Sequence, residues 1–257
     1  MSSDVSLLLV SFLAGMLVGL TSMGGAAIIT PFLVLVLGVR PVLAVGTDLV
    51  YGAVTKIVGA FMHWRQGTVD LAVVRRLALG SLPGGFLGVF AIRHLEARNL
   101  PVDDLLRPVL GVILTLVAVV IVARTLGWVP DHAPAWLERR PAQWTVIWGF
   151  VIGTAVGLTS VGSGSLLIPF LILVMKNESP SRVVGTDVFH AAILVTATAG
   201  LYIHAGNVNW EPVPHLLVGS IPGVLLGSYL APRVPARGVR IGLGLLLFAT
   251  GFKLIPV

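Results

Sequence analysis

Cysteine is absent from the 257-residue chain, which excludes disulfides, iron–sulfur clusters and thiolate metal sites. Charge is scarce as well: 11% of the residues are Asp, Glu, Lys or Arg, against roughly 25% in a soluble globular protein. With 56% hydrophobic residues and a mean hydropathy of +0.98, the composition belongs to a membrane protein. Acidic residues are the scarcer charges, 11 against 17 Lys and Arg. The net charge of +6 does not imply nucleic acid, because the cations are spread over short loops, as in polytopic membrane proteins. No H-E-x-x-H motif occurs, and neither a metal nor a cofactor is expected. The first residues, MSSDVSLLLV, contain Asp4 and no Lys or Arg. A signal peptide opens with positive charge, so this stretch reads as a retained membrane segment.

What the chain has in quantity is long apolar runs. A helix needs about 20 apolar residues to cross the hydrocarbon core. Such runs cover 41–62, 71–92, 105–123, 180–204, 213–231 and 237–255. Two further stretches, around residues 19–32 and 157–170, bring the count to about eight segments. The expectation is an all-α polytopic membrane protein forming one transmembrane domain over 1–257.

Several motifs occur twice in the same order. GLTSMGGAAIITPF from Gly19 matches GLTSVGSGSLLIPF from Gly157, VGTDL at 45–49 matches VGTDV at 184–188, and GSLPGGFLG at 80–88 matches GSIPGVLLG at 219–227. The nearly constant offset indicates an internal duplication: repeat 1 over 5–123, a Pro- and charge-rich linker over 124–142, and repeat 2 over 143–255. Internal repeats in membrane proteins point to transporters, whose sites form where the repeats meet.

The apolar run over 5–37 is too long for one straight crossing, because 33 residues of helix span about 50 Å. An interruption at Ser22–Gly25 leaves arms of about 16 and about 12 residues at a helical rise of 1.5 Å each, both short for the core. A re-entrant hairpin fits these lengths. With hairpins at both motif stretches, Lys and Arg divide 11 against 5 between the two faces, with Lys56 excluded; with single crossings they divide 9 against 7. The first division obeys the positive-inside rule better. It makes the repeats inverted and puts both termini outside the cytoplasmic membrane.

Non-helical backbone at membrane depth survives only where it is buried in protein or lines a wet cavity. Thr21, Ser22, Thr159, Ser160, Ser163 and Ser165 can serve the freed backbone groups, while Gly24, Gly25, Gly162 and Gly164 let the chain turn. The second arms, starting near Ala26 and Ser165, would present free N–H groups and positive dipole ends, which suit an anion. The motif thus reads as a duplicated anion cradle. The competing reading is close helix packing through small residues.

Asp48 and Asp187 are the acidic residues inside hydrophobic segments, both in the VGTD copies. Such charges are costly and usually functional. Two readings stay open: proton or substrate handling, or capping of a first helical turn with help from Thr47 and Thr186. His190 stands one turn from Asp187, close enough to share a proton. Asp48, Tyr51, Thr55 and Gly59 share a helical face, as do Asp187, His190 and Thr198. Lys56 has no match in the second copy and either attracts an anion or snorkels. His63, Trp64 and His204 read as interfacial, and Arg75 and Arg76 as snorkelling.

The duplicated G-x-x-S-x-G…P motif, the GTD that opens the next span and the G-S-[LI]-P-G two spans on resemble the sulfite exporter TauE/SafE family of membrane permeases. The likeness runs over nearly the whole chain. It implies transport of a sulfur-containing anion such as sulfite or an organosulfonate, usually as export. Carried over by position, it implies an anion path lined by Ser22, Gly24, Gly25, Ser160, Gly162, Ser163 and Gly164, with Asp48 and Asp187 beside it. The second copy reads GSGS where the first reads GGAA, so the two half-sites cannot be chemically equal. The expected protein is a secondary transporter, not an enzyme. Its partners are a small anion, the lipid bilayer and protons as coupling ion, and assembly into a homo-oligomer is compatible with the sequence. The rival readings are a passive anion channel and, more remotely, an intramembrane protease. The latter would need paired carboxylates or a G-x-S-G helix start that VGSGS does not supply.

Overall fold

The computed structural model of the chain describes residues 2–21, 26–128, 134, 137, 139–176, 178–230 and 236–255. The described residues contain ten helices and no strand: α1 Ser2–Thr21, α2 Ala26–Leu35, α3 Pro41–Arg65, α4 Leu71–Ala97 and α5 Val102–Thr125, then α6 Pro141–Thr159, α7 Leu167–Val174, α8 Pro180–His204, α9 Val213–Leu230 and α10 Ala236–Leu254. Five of them, α3, α4, α5, α6 and α8, are long and apolar enough to cross a membrane. Apolar stretches over Leu7–Leu17 and Val213–Gly227 are shorter.

Helix starts follow local chemistry. Pro41, Pro141 and Pro180 open α3, α6 and α8, where a missing N–H costs nothing. Asp70 caps α4 by accepting from the N–H groups of Ala72 and Val73 at 2.9 and 3.1 Å. Asp103 on α5 accepts from the Val42 N–H at 3.1 Å and from the Arg40 guanidinium at 2.7 Å, which raises the Arg40 pKa above its ordinary value.

Helix α4 packs along α6, and α9 along α1. Both contacts rest on small residues four apart. A Cβ at Gly153 would run into the Ser81 carbonyl oxygen, and one at Gly223 into that of Phe12. Backbones this close make dispersion contacts along the whole helix, the usual source of helix association in lipid. The registers fix direction. Gly149, Gly153 and Gly157 meet Leu77, Ser81 and Gly85 in turn, so α6 and α4 are parallel. Gly219, Gly223 and Gly227 meet Leu8, Phe12 and Met16, so α9 and α1 are parallel as well. Helices α3 and α8 are antiparallel, since Gly52 meets Val195 and Gly59 meets Val188. So are α5 and α10, where Gly111 meets Gly251 and Gly244 meets Val122.

These directions decide which ends lie together. The turn before α9 docks on the start of α3, with the Asn209 N–H donating to the Thr47 hydroxyl at 2.9 Å. Because α1 is parallel to α9, the N-termini of α1 and α3 lie at one end of the bundle. The turn before α4 docks on the start of α8, with the Asp70 N–H donating to Thr186 at 3.0 Å. Because α6 is parallel to α4, the N-termini of α6 and α8 lie at the other end. Each pair α1–α2 and α6–α7 therefore leaves one end and leads back to it. The arms differ from the expected lengths: 20 and 10 residues in the first pair, 19 and 8 in the second. In the first pair the outer arm begins at Ser2 rather than at residue 5, and the inner arm stops at Leu35 rather than at residue 37.

Candidate functional site

The polar residues of the interior gather where α3 crosses α8. Asp48 is fully buried and Asp187 is 1% exposed. Neither caps a first turn: α3 begins at Pro41 and α8 at Pro180, which puts each carboxylate in the second turn, where backbone N–H groups already have helical partners. Thr47 and Thr186 do not assist a cap either. Each bonds a carbonyl one turn back and the turn that docks from the opposite half. The Asp48 Oδ2 instead accepts from the Thr30 hydroxyl on α2 at 2.6 Å.

The second motif stretch lies between the two acids. Ser160 ends α6 at φ 62°, with Gly162 at φ 128° and Gly164 at φ 86°; the two glycines take a left-handed backbone that side chains resist. The Ser160 hydroxyl lies close enough to act on Asp48, and the Gly164 N–H is directed toward Asp187. Helix α7 starts at Leu167, two residues later than expected, because Gly164 at φ 86° cannot join a right-handed helix; the N–H groups of Leu166 and Ile168 bond the carbonyls of Gly162 and Gly164 at 3.1 and 3.2 Å. Ser163 and Ser165 are buried, and the Ser163 Oγ has no partner. Thr159 turns away, bonding the Ala155 carbonyl and accepting from the Val161 N–H. In the first motif stretch Ser22, Gly24 and Gly25 lie outside the described residues, as does the Thr21 side chain.

His190 is fully buried but does not pair with Asp187. Its Nε2 shares a 2.7 Å hydrogen bond with the Ser81 hydroxyl on α4, while its Nδ1 has no partner. Tyr51, at the matching position of α3, is set against Ser220 of α9, the counterpart of Ser81. Thr55 and Thr198 bond carbonyls of their own helices, so neither offers its hydrogen to the site. Lys56 is partly buried and feels the charge of Asp187 most strongly, then that of Asp48. Among the described residues its ammonium forms no hydrogen bond and no contact ion pair. At the helix ends, Trp64 stacks on Phe189 with centroids 5.2 Å apart, the His63 Nδ1 shares a 2.8 Å bond with Thr68, and His204 is exposed. Among the described residues no three His, Cys, Asp or Glu side chains converge as metal ligands.

Thr30, Ser81 and Ser220 were absent from the expected site. The two serines had a signal, since each is the Ser of a duplicated G-S-[LI]-P-G. Thr30 had none, because repeat 2 carries Ile168 there. Four atoms stay buried and unsatisfied around the crossing: Asp48 Oδ1, Asp187 Oδ1, Ser163 Oγ and His190 Nδ1. Buried polar groups are usually paired, so these orphans single out the crossing as the candidate site.

Residues 7–254 match the family described as sulfite exporter TauE/SafE. The chain is 41% identical over 256 residues to the "Probable membrane transporter protein YjnA" of Bacillus subtilis (strain 168), covering 98% of this chain and 100% of that protein. It is 27% identical over 232 residues to the same organism's "Probable membrane transporter protein YdhB", covering 89% and 91%. An archaeal relative, the "Probable membrane transporter protein MJ0441" of Methanocaldococcus jannaschii, is 23% identical over 269 residues, covering 97% and 94%. No solved structure matches the chain. The match over nearly the full length and the bundle of apolar helices lead to one conclusion: this integral membrane protein belongs to the sulfite exporter TauE/SafE family.

Proposed function

We propose that the protein is a secondary transporter of a small sulfur-containing anion, sulfite or an organosulfonate, which it carries by alternating access with protons as the coupling ion. Transport is supported by the family and by the names its relatives bear. The observation that carries the site is the cluster of buried, unpartnered atoms around Asp48, Asp187, Ser163 and His190, with the Lys56 ammonium beside it. A cation, hydroxyls and backbone N–H groups gathered at one helix crossing suit an oxyanion, and titratable carboxylates next to them suit proton coupling.

The architecture is read as two inverted repeats, 5–123 and 143–255 joined by 124–142, with eight membrane-embedded segments. The antiparallel pairing of α3 with α8 and of α5 with α10 supports this reading. So do α1–α2 and α6–α7, each of which returns to the end it left. On this arrangement the cation-rich face is cytoplasmic, both termini are outside, and the chain sits in the cytoplasmic membrane. Rocking of one repeat on the other would open the site to each side in turn.

The test is flux of sulfite and sulfoacetate into proteoliposomes, with and without an imposed pH gradient, for the wild type, Asp48→Asn and Asp187→Asn. Gradient-driven flux that is lost in either variant is expected. Equal flux without a gradient, unchanged in both variants, would mean a passive pathway and no role for the acids.

A further inference from the structure

Two buried carboxylates share a single lysine. Asp48 and Asp187 each keep Oδ1 unpartnered, and both act on Lys56. Lys56 belongs to the stretch of α3 that crosses α8, between the contacts of Gly52 with Val195 and Gly59 with Val188. The other titratable groups nearby are few among the described residues. On α8, His190 stands beside the same ammonium and shares its Nε2 with Ser81 of α4. On α3, Tyr51 faces Ser220 of α9 and feels Asp48. Helix α2 and the 160–166 turn bring only neutral donors, namely Thr30, Ser160, Ser163 and the Gly164 N–H. Arg124 reaches α7 but donates there to the Pro169 carbonyl at 2.9 Å.

We propose that this triad obliges the carrier to move a monovalent anion and about one proton together, in the same direction: the anion pairs with Lys56, and the proton adds to the carboxylate whose charge Lys56 no longer balances. The inference rests on the anion-transport reading above. An uncompensated charge in a low-dielectric interior is expensive. In the empty site, Lys56 balances one carboxylate ion while the other carboxyl is held as the acid. When an anion takes Lys56, one carboxylate loses its counter-charge. A proton from the water on the open side then forms an O–H bond on that oxygen, and the same bond breaks when the anion leaves on the far side.

The group that attracts the anion is not the group that takes the proton, so each favours the binding of the other. Exchange in opposite directions would require the two to compete for one group. A cycle of this kind moves no net charge. The membrane potential neither drives nor opposes it, and the direction of net movement follows the anion gradient and the pH gradient together.

The experiment uses the full chain in proteoliposomes with a pH dye in the lumen and a potassium–valinomycin potential. Methanesulfonate is the probe, because this strong-acid monoanion brings no proton of its own. Influx should acidify the lumen by about one proton per anion and should change less than about 2-fold under an imposed potential of ~100 mV, which would act strongly on a carrier moving net charge. Influx that follows the potential without acidification, or that makes the lumen alkaline, overturns the proposal. Absence of flux for methanesulfonate, sulfite and sulfoacetate alike would defeat the transport reading itself.

A second measurement does not depend on flux. In weakly buffered detergent solution, methanesulfonate should cause uptake of about one proton per wild-type chain, none in Lys56→Gln or Asp187→Asn, and partial recovery in Lys56→Arg, with thermal unfolding showing that each variant is folded. Uptake that persists in Lys56→Gln, or fails in the wild type, removes Lys56 from the coupling.

Discussion

The α1–α9 and α4–α6 interfaces are nearly interchangeable, whereas the polar groups they enclose are not. Gly80, Gly84 and Gly88 on α4 have counterparts in Gly219, Gly223 and Gly227 on α9, and all are pressed against backbone of the facing helix. Among the polar residues around the crossing of α3 and α8 the correspondence fails: Tyr51 corresponds to His190, Lys56 to Val195, and Thr30 to Ile168. Backbone packing admits one solution, a hydrogen atom in place of a side chain, so both copies keep it. Polar side chains at a crossing are under no such constraint, and α3 carries a lysine where α8 carries Val195.

The comparison can be broken at its symmetric part first. Gly84→Leu and Gly223→Leu, at matching positions, should be equally destructive, since each forces a Cβ into a facing carbonyl. A loss of about 4 kcal/mol or more, or failure to accumulate folded protein, is expected, read by thermal unfolding in detergent. Gly242→Ala, where nothing lies within 4 Å, is the control and should melt as the wild type does. A mild effect in one glycine variant alone would show that the two interfaces are not equivalent.

The asymmetric part should respond unequally. Lys56→Gln should weaken anion binding by about 100-fold, since removal of one partner of a desolvated charge contact costs roughly 2–5 kcal/mol, whereas Val195→Ala at the matching position should leave affinity within about 3-fold. Isothermal titration with a sulfonate would measure both. Thr30→Val deprives a buried carboxylate of its donor and should cost about 1–3 kcal/mol, seen as a transport defect, while Ile168→Val should be nearly silent.

The smallest effect belongs at the surface. The Arg40–Asp103 pair is 64% and 24% exposed on its two sides, and Arg40→Gln should change stability by roughly 0–1 kcal/mol. Its sign with pH follows from the raised Arg40 pKa. The stabilisation is complete below the ordinary arginine value and is lost only as pH rises through the raised one. Melting curves between about pH 6 and 9 should therefore keep the full contribution of this pair and show no pH dependence from it.

The sequence by itself determined the class of this protein. Scarce charge, apolar runs and a twice-written set of motifs led to an all-helical membrane protein and to its family, because lipid leaves a chain few ways to satisfy its backbone. The duplicated G-S-[LI]-P-G was visible too, yet its serines were passed over, since their partners lie 109 residues away for Ser81 with His190 and on another helix for Ser220 with Tyr51. Helix neighbours were equally hidden: Asp187 and His190 are one turn apart in sequence, but the imidazole turns to α4. The arms of the first broken stretch differ from expectation at their far ends, since α1 begins at Ser2 and α2 stops at Leu35. Only the tertiary structure decided that Thr30 meets Asp48, that Thr47 and Thr186 tie the opposite half, and that Lys56 stands between two acids. Such contacts depend on how helices cross, and a crossing is fixed by the sum of close backbone contacts between helices far apart in the chain, which no local pattern records.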